Sequence, residues 1–175
     1  MPASARGFLS GVYVRLLSTA AGVVAADQVT KQLAIQHLDD GPVDLVPGVL
    51  SLKLSINSGG AFGIMQGRPV VFLLATLGVV LAILVFARKL TESSLAVPLG
   101  LVLGGGLGNV IDRLLRPHGG GVIDFLYLHH WPIFNVADSC IVVGVGLIAL
   151  AVARSEAARQ RQQGAHEARR AGPGD

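Results

Sequence analysis

Two aspartates carry the chemistry this sequence could do: Asp124 in "VIDF" and Asp138 in "FNVADSCIVVG", fourteen residues apart in apolar surroundings. Two carboxylates brought close in a partly dry site cannot both ionise easily, so one pKa rises and the pair holds a shared proton near neutral pH. Such a pair can take a proton from water while donating one to a carbonyl or a leaving amine, which is peptide hydrolysis without a covalent intermediate. The spacing alone has no unique meaning. Asp138 resists a purely structural explanation, because it lies early in the apolar run Ile133–Ala153 with no basic residue inside that run. An aspartate within a bilayer-spanning helix costs about 2.5–3.5 kcal/mol and marks a functional site by default. It needs a partner from elsewhere, and Asp124 is the nearest candidate in sequence. No G-x-S-x-G elbow competes, and Cys140 reads as a small buried filler too deep in the run to be a nucleophile.

The elements that must hold these groups are membrane helices. Hydrophobic residues make up 51% of the 175 and charged residues only 14%, and mean hydropathy is +0.60, above that of a soluble domain this size. A span needs roughly 20 apolar residues. Four segments qualify: Leu16–Ile35, Pro69–Ala87, Leu95–Ile111 and Ile133–Ala153. The expected fold class is therefore an all-α membrane protein of four transmembrane helices with a small extracytoplasmic β-rich region. Residues 1–13 read as a cytoplasmic segment, 14–153 as the membrane domain, and 154–175 as a basic, partly disordered tail. The first span reads as an uncleaved anchor, since the residues before it are too polar for a signal-peptide core. "VPGVLSLKLSINSGGAFGI" alternates apolar and polar through Val49–Ile56 and then breaks at glycines, as a short strand or hairpin does. With one cysteine an internal disulfide is excluded.

Basic residues set the orientation. Arg6, Arg15, Arg88, Lys89, Arg154, Arg159, Arg161, Arg169 and Arg170 fall on one side, against Lys53, Arg68 and Arg116 with Arg113 at the border. Both termini should be cytoplasmic, with the loops of residues 37–68 and 114–132 outside. Polar residues from distant segments then collect at the outer face. Asp138 lies about 7–8 Å below Ile133 and Asp27 about 17 Å from Leu16 at the helical rise per residue. Asn109, Asp112 and Arg113 close the third span, while Asn57 and Asp124 sit in outer loops. Each also has a plain reading. Asp27 and Lys31, four apart on one helix face, can neutralise each other; Asp112 and Arg113 can anchor a helix end; Asn109 can be a packing amide. Glycines 104–106 and Gly108 suit close helix approach. His118, His129 and His130 read as solvated interface residues whose spacing with Asp124 matches no zinc pattern. A proton-coupled carrier using Asp27, Lys31, Asp112 and Asp138 is a rival, but carriers place such groups near the midplane between repeated halves, and no repeat is present. A lipid-acting hydrolase or metal-dependent membrane protease using His118, His129 or His130 is another.

"DQVTK" (27–31), "NSGGAFG" (57–63), "GGGLGNVIDR" (104–113), "VIDF" (122–125) and "FNVADSCIVVG" (134–144) occur in this order between four spans. Together they resemble the bacterial lipoprotein signal peptidase family, signal peptidase II, over about residues 14–153. The resemblance implies an intramembrane aspartic endopeptidase of the bacterial cytoplasmic (inner) membrane. Its site would lie near the outer face, and it would cut prolipoproteins just before a diacylglyceryl-modified cysteine. It implies Asp124 and Asp138 as the catalytic pair. Asn57, Gly59, Asn109, Arg113, Asn135 and Ala137 would bind substrate or shape the pocket, Asp27 and Lys31 would support it, and Asp112 would orient Arg113. It implies no cofactor and no metal. Its partners would be lipid-modified precursors, membrane lipids and globomycin-type inhibitors, with no nucleic acid and a monomeric enzyme.

Overall fold

The computed structural model describes residues 3–59, 66–87 and 93–171, in which four long helices carry one three-stranded antiparallel sheet at one end. The helices are α1 (Ala3–His37), α2 (Pro69–Ala87), α3 (Ala96–Leu115) and α4 (Val136–Ala171). The strands are β1 (Val43–Val46), β2 (Leu50–Asn57) and β3 (Val122–Leu128), in the order β1-β2-β3.

Local sequence explains where the helices begin and end. Proline opens α2 at its first position, where no intrahelical N–H is needed. Arg116 is extended, at φ −92° and ψ 143°, as the residue before Pro117 must be, and so α3 stops there. Helix α3 is the central element, packed against α1, α2 and α4. Its glycines permit this. A Cβ on Gly104 would lie 2.7 Å from the Ala20 carbonyl oxygen of α1, and one on Gly105 would lie 2.5 Å from the Ala137 carbonyl oxygen of α4. Gly106 differs, with nothing closer than Thr76 Cγ2 at 3.4 Å.

The distribution of polarity is inside-out for a water-soluble protein. Lys31, Asp27 and Asp112 are 0% exposed, whereas Leu74 and Leu81 of α2 are 63% and Val142 of α4 73% exposed. Pro69–Ala87 and Val136–Gln163 are long and apolar enough to cross a bilayer, with mean hydropathies of 3.0 and 2.3, and only 11% of each apolar window is buried. A helix that serves as the core of a soluble protein would be mostly buried, so these surfaces suit lipid. One apolar cluster joins α1, α2 and α3 around Leu16, Ile83 and Leu103. A second, of Ala34, Leu38 and Phe125, seats the sheet on the other end of α1. The buried charges lie on α1 between Leu16 and Ala34, on the last turns of α3 and, with Asp124, on β3.

Several expected boundaries shift. The fourth apolar run begins with extended chain, not helix: Phe134 bridges Leu126 of β3, and α4 starts only at Val136. Asn135 is therefore a cap, not a residue inside the helix. Asp124 lies on a strand instead of a loop, paired with Ser55 of β2. Helix α3 runs past Ile111 to Leu115, so Asp112 and Arg113 lie within its last turns. The tail continues α4 as helix to Ala171, since its Ala, Arg, Gln and Glu residues are good helix formers. Cys140 is half-buried, not a buried filler. Arg88 and Lys89 of the orientation argument, and Gly60–Gly63 of the "NSGGAFG" motif, lie outside the described residues.

Candidate active site

Asn135 organises the site by ending one chain direction and starting another. As N-cap of α4 it accepts the Asp138 N–H on its side-chain oxygen at 2.8 Å, and the Asp138 carboxylate accepts the Asn135 N–H at 3.3 Å. This is a reciprocal capping box with an aspartate at the third helical position, so the aspartate in the apolar run has a local structural anchor. The Asn135 amide also reaches across to β3 and donates to Asp124 Oδ1 at 2.7 Å. One residue thus bonds both carboxylates.

Each aspartate has a second amide partner. Asn57 Nδ2 donates to Asp124 Oδ2 at 3.0 Å, a diagonal contact that the β2–β3 register provides because Asn57 pairs with Val122 and Asp124 with Ser55. Asn109 Nδ2 donates to Asp138 Oδ1 at 2.8 Å. Burial, then the neighbouring Asp138 charge, pushes the Asp124 carboxyl up from 3.8 to about 7, against the opposing bonds from Asn57 and Asn135 and the Lys31 charge. Both aspartates line one cavity of about 760 Å³, shared with Asn57, Asn109 and Arg113 on its polar side. Phe72 of α2 and Ile141 and Val142 of α4 line its apolar side. That size and mixture suit a small or extended ligand.

Behind the aspartates lies a dry ion cluster. Lys31 Nζ donates to Asp27 at 2.8 Å, Asp112 at 2.8 Å and the Asn109 side-chain oxygen at 3.0 Å, using all three of its hydrogens. Asp27 does more than neutralise Lys31, since its other oxygen accepts the Ala137 N–H at 2.9 Å. Asp112 accepts the Ile123 N–H at 3.1 Å and pairs with Arg116 at 3.0 Å. The hydrogen bonds to Asp112 among the described residues come from Lys31, Arg116, Gln28 and Ile123, while its charge also acts on Arg113. Neighbouring residues on a helix point about 100° apart, so Asp112 faces α1 while Arg113 faces the cavity. Arg113 Nη2 donates to the Gly59 carbonyl at 3.1 Å, and its buried Nε has no hydrogen-bond partner among the described residues.

Two participants escape sequence inspection. Gln28 Nε2 lies within bonding distance of Asp27, Asp112 and the Gly108 carbonyl, and Arg116 binds Gln28 and Asp112. The i,i+4 spacing of Asp112 and Arg116 is the available signal for the latter. The histidines stay apart from the dyad. His129 stacks on Tyr127 and contacts Ser51 Oγ at 3.1 Å. No three His, Cys, Asp or Glu side chains converge as a metal-holding group among the described residues.

The chain is similar to known proteins over most of its length. A family model described as "Signal peptidase (SPase) II" matches residues 19–154. The chain is 44% identical over 138 residues to a protein named lipoprotein signal peptidase from Rhodococcus jostii, covering 76% of this chain and 70% of that one. It is 37% identical over 150 residues to one of the same name from Halalkalibacterium halodurans, covering 82% and 94%. A solved structure described as a bacterial membrane enzyme superposes with a TM-score of 0.74 at 32% identity, covering 81% of this chain and 88% of that one.

Proposed function

This chain belongs to the signal peptidase II family of aspartic proteases, and from that premise we propose how its residues release a signal peptide from a lipid-modified precursor. The four helices cross the cytoplasmic membrane with both termini inside, and the sheet lies at the outer face. The substrate is a prolipoprotein whose cysteine carries diacylglycerol, and the bond before that cysteine is cut. The apolar side of the cavity, between Phe72 and Val142, receives the membrane-embedded part of the substrate, and the polar side receives the scissile peptide.

The observation that carries the mechanism is Asn135 bonding both carboxylates at the wall of one cavity. Asp124, with its pKa near 7, holds the shared proton, and Asp138 is the base. Asp138 takes a proton from a water held between the pair, and the water oxygen bonds to the scissile carbonyl carbon. Asp124 gives its proton to the carbonyl oxygen. The resulting tetrahedral diol collapses as the C–N bond breaks. Asp138 passes the proton it took from water to the departing cysteine nitrogen, a diol hydroxyl returns its proton to Asp124, and the signal peptide leaves with a new carboxyl group. Asn57 and Asn109 keep the outer carboxylate oxygens in place. The cavity-facing guanidinium of Arg113, whose buried Nε has no hydrogen-bond partner among the described residues, binds substrate backbone carbonyls. Globomycin-type inhibitors occupy the same cavity.

Incubating the purified enzyme with two precursors, one with a diacylglyceryl cysteine and one without, tests this reading. Mass spectrometry should find a free N-terminal lipid-modified cysteine from the first and intact precursor from the second. Equal cleavage of both would remove the acyl chains from the account.

A further inference from the structure

The mechanism leaves a fully buried cation, Lys31, without a part in it. We infer that Lys31 is a positioning residue of the hydrolysis, an ammonium whose three hydrogen bonds fix the backbone just ahead of each catalytic aspartate. This rests on the dyad reading above and deepens it.

Charge neutralisation alone does not account for the geometry. A single carboxylate four residues away would neutralise Lys31, and such a pair could be replaced by apolar side chains at little loss of fold. Here the ammonium, 0% exposed, gathers two carboxylates from two helices, each also 0% exposed. Each carboxylate then accepts one further peptide N–H. Asp27 of α1 takes that of Ala137 at 2.9 Å, directly before Asp138, and Asp112 of α3 takes that of Ile123 at 3.1 Å, directly before Asp124. The third hydrogen of Lys31 goes to Asn109 Oδ1 at 3.0 Å, whose amide nitrogen holds Asp138 Oδ1 at 2.8 Å. Three short routes from one nitrogen end at the two backbone segments and one carboxylate of the dyad. Lys31 does not line the cavity, so it acts on the reaction through these groups and not on the substrate.

The test compares turnover with stability in Lys31→Met, the charge-balanced double variant Asp27→Asn with Lys31→Met, and Leu16→Ala as a control in the distant apolar cluster. The double variant leaves Asp112 paired with Arg116, and the asparagine introduced at position 27 keeps an oxygen for the Ala137 N–H. Thermal unfolding in detergent measures stability, and kcat and KM are taken per folded enzyme on lipidated precursor. We expect Lys31→Met to lose stability and the double variant to regain most of it. Both should show kcat down by about 100-fold, the effect of misplacing reacting groups by about an ångström, with KM within about threefold. Leu16→Ala should lose stability with kcat unchanged. A double variant with wild-type kcat, or a Leu16→Ala loss of kcat as large as that of Lys31→Met, overturns the inference. If Lys31→Met alone does not fold, the double variant carries the test. Asp138→Asn run alongside separates the two readings: its activity would sink the dyad, whereas its inactivity beside an active double variant sinks only the role of Lys31.

Discussion

Replacing Asp124 with asparagine should stop hydrolysis and at the same time make the protein more stable at alkaline pH. The Asp124 carboxyl sits at about 7 in the fold against 3.8 for the free group, because it is buried beside Asp138. A raised pKa means that the folded state binds the proton more tightly than the unfolded chain. The stability from this group is therefore complete below about pH 4 and is lost as pH rises through 7. At about 1.4 kcal/mol per unit of pKa, the loss reaches about 4 kcal/mol by pH 8. Asparagine has the same shape and no charge to desolvate, but its amide must face one of two donors, Asn57 Nδ2 or Asn135 Nδ2. One lost or strained hydrogen bond costs about 1–3 kcal/mol, which leaves a net gain of about 1–3 kcal/mol at pH 8. Thermal unfolding in detergent at several values between about pH 5 and 8 measures it. Wild type should lose stability across that range faster than Asp124→Asn. Parallel slopes for the two proteins would show that Asp124 does not take up its proton as described.

The other predictions concern geometry. Gly108→Ala should reduce turnover and destabilise by about 1–3 kcal/mol, because its Cβ would lie 2.5 Å from Asp27 Oδ2, whereas Gly106→Ala should be neutral or slightly stabilising. Comparing unfolding temperatures and precursor cleavage of the two checks this, and equal effects would contradict it. Asn135→Ala should lose the cap, worth about 1 kcal/mol, and with it the bond to Asp124, so that cleavage falls by far more than stability does. A variant with normal turnover would show that the bridging amide is dispensable. EDTA should leave precursor cleavage unchanged, since the aspartate pair activates water without a metal; loss of activity restored by added zinc would refute that.

What can be read from the sequence follows the strength of each physical signal. Helix α2 is plain because nineteen residues without a charge have few other homes than a bilayer. The gathering of Asn109, Asp124, Asn135 and Asp138 is legible because buried polar groups need partners and the sequence sends all four toward one face of the membrane. Strand β3 escapes such reading, since "VIDFLYL" is buried on both faces through its first residues and shows no alternation. Following hydropathy from Ile133 misplaces the start of α4, although the N-x-x-D spacing of Asn135 and Asp138 marks a capping box. Asp112 and Arg113 are neighbours in sequence, yet two of the groups that bond Asp112, Lys31 and Gln28, lie more than eighty positions away. No local pattern encodes that contact; it exists because Gly104 and Gly108 let α3 close upon α1.

The account depends most directly on both carboxylates being required for one hydrolysis. The decisive measurement is single-turnover cleavage of a diacylglyceryl-modified precursor by purified Asp124→Asn and Asp138→Asn enzymes whose unfolding profiles show intact folds. We predict that neither releases a detectable signal peptide under conditions where wild type converts all of the substrate. Conversion by either variant at the wild-type rate would mean that water is activated by some other group.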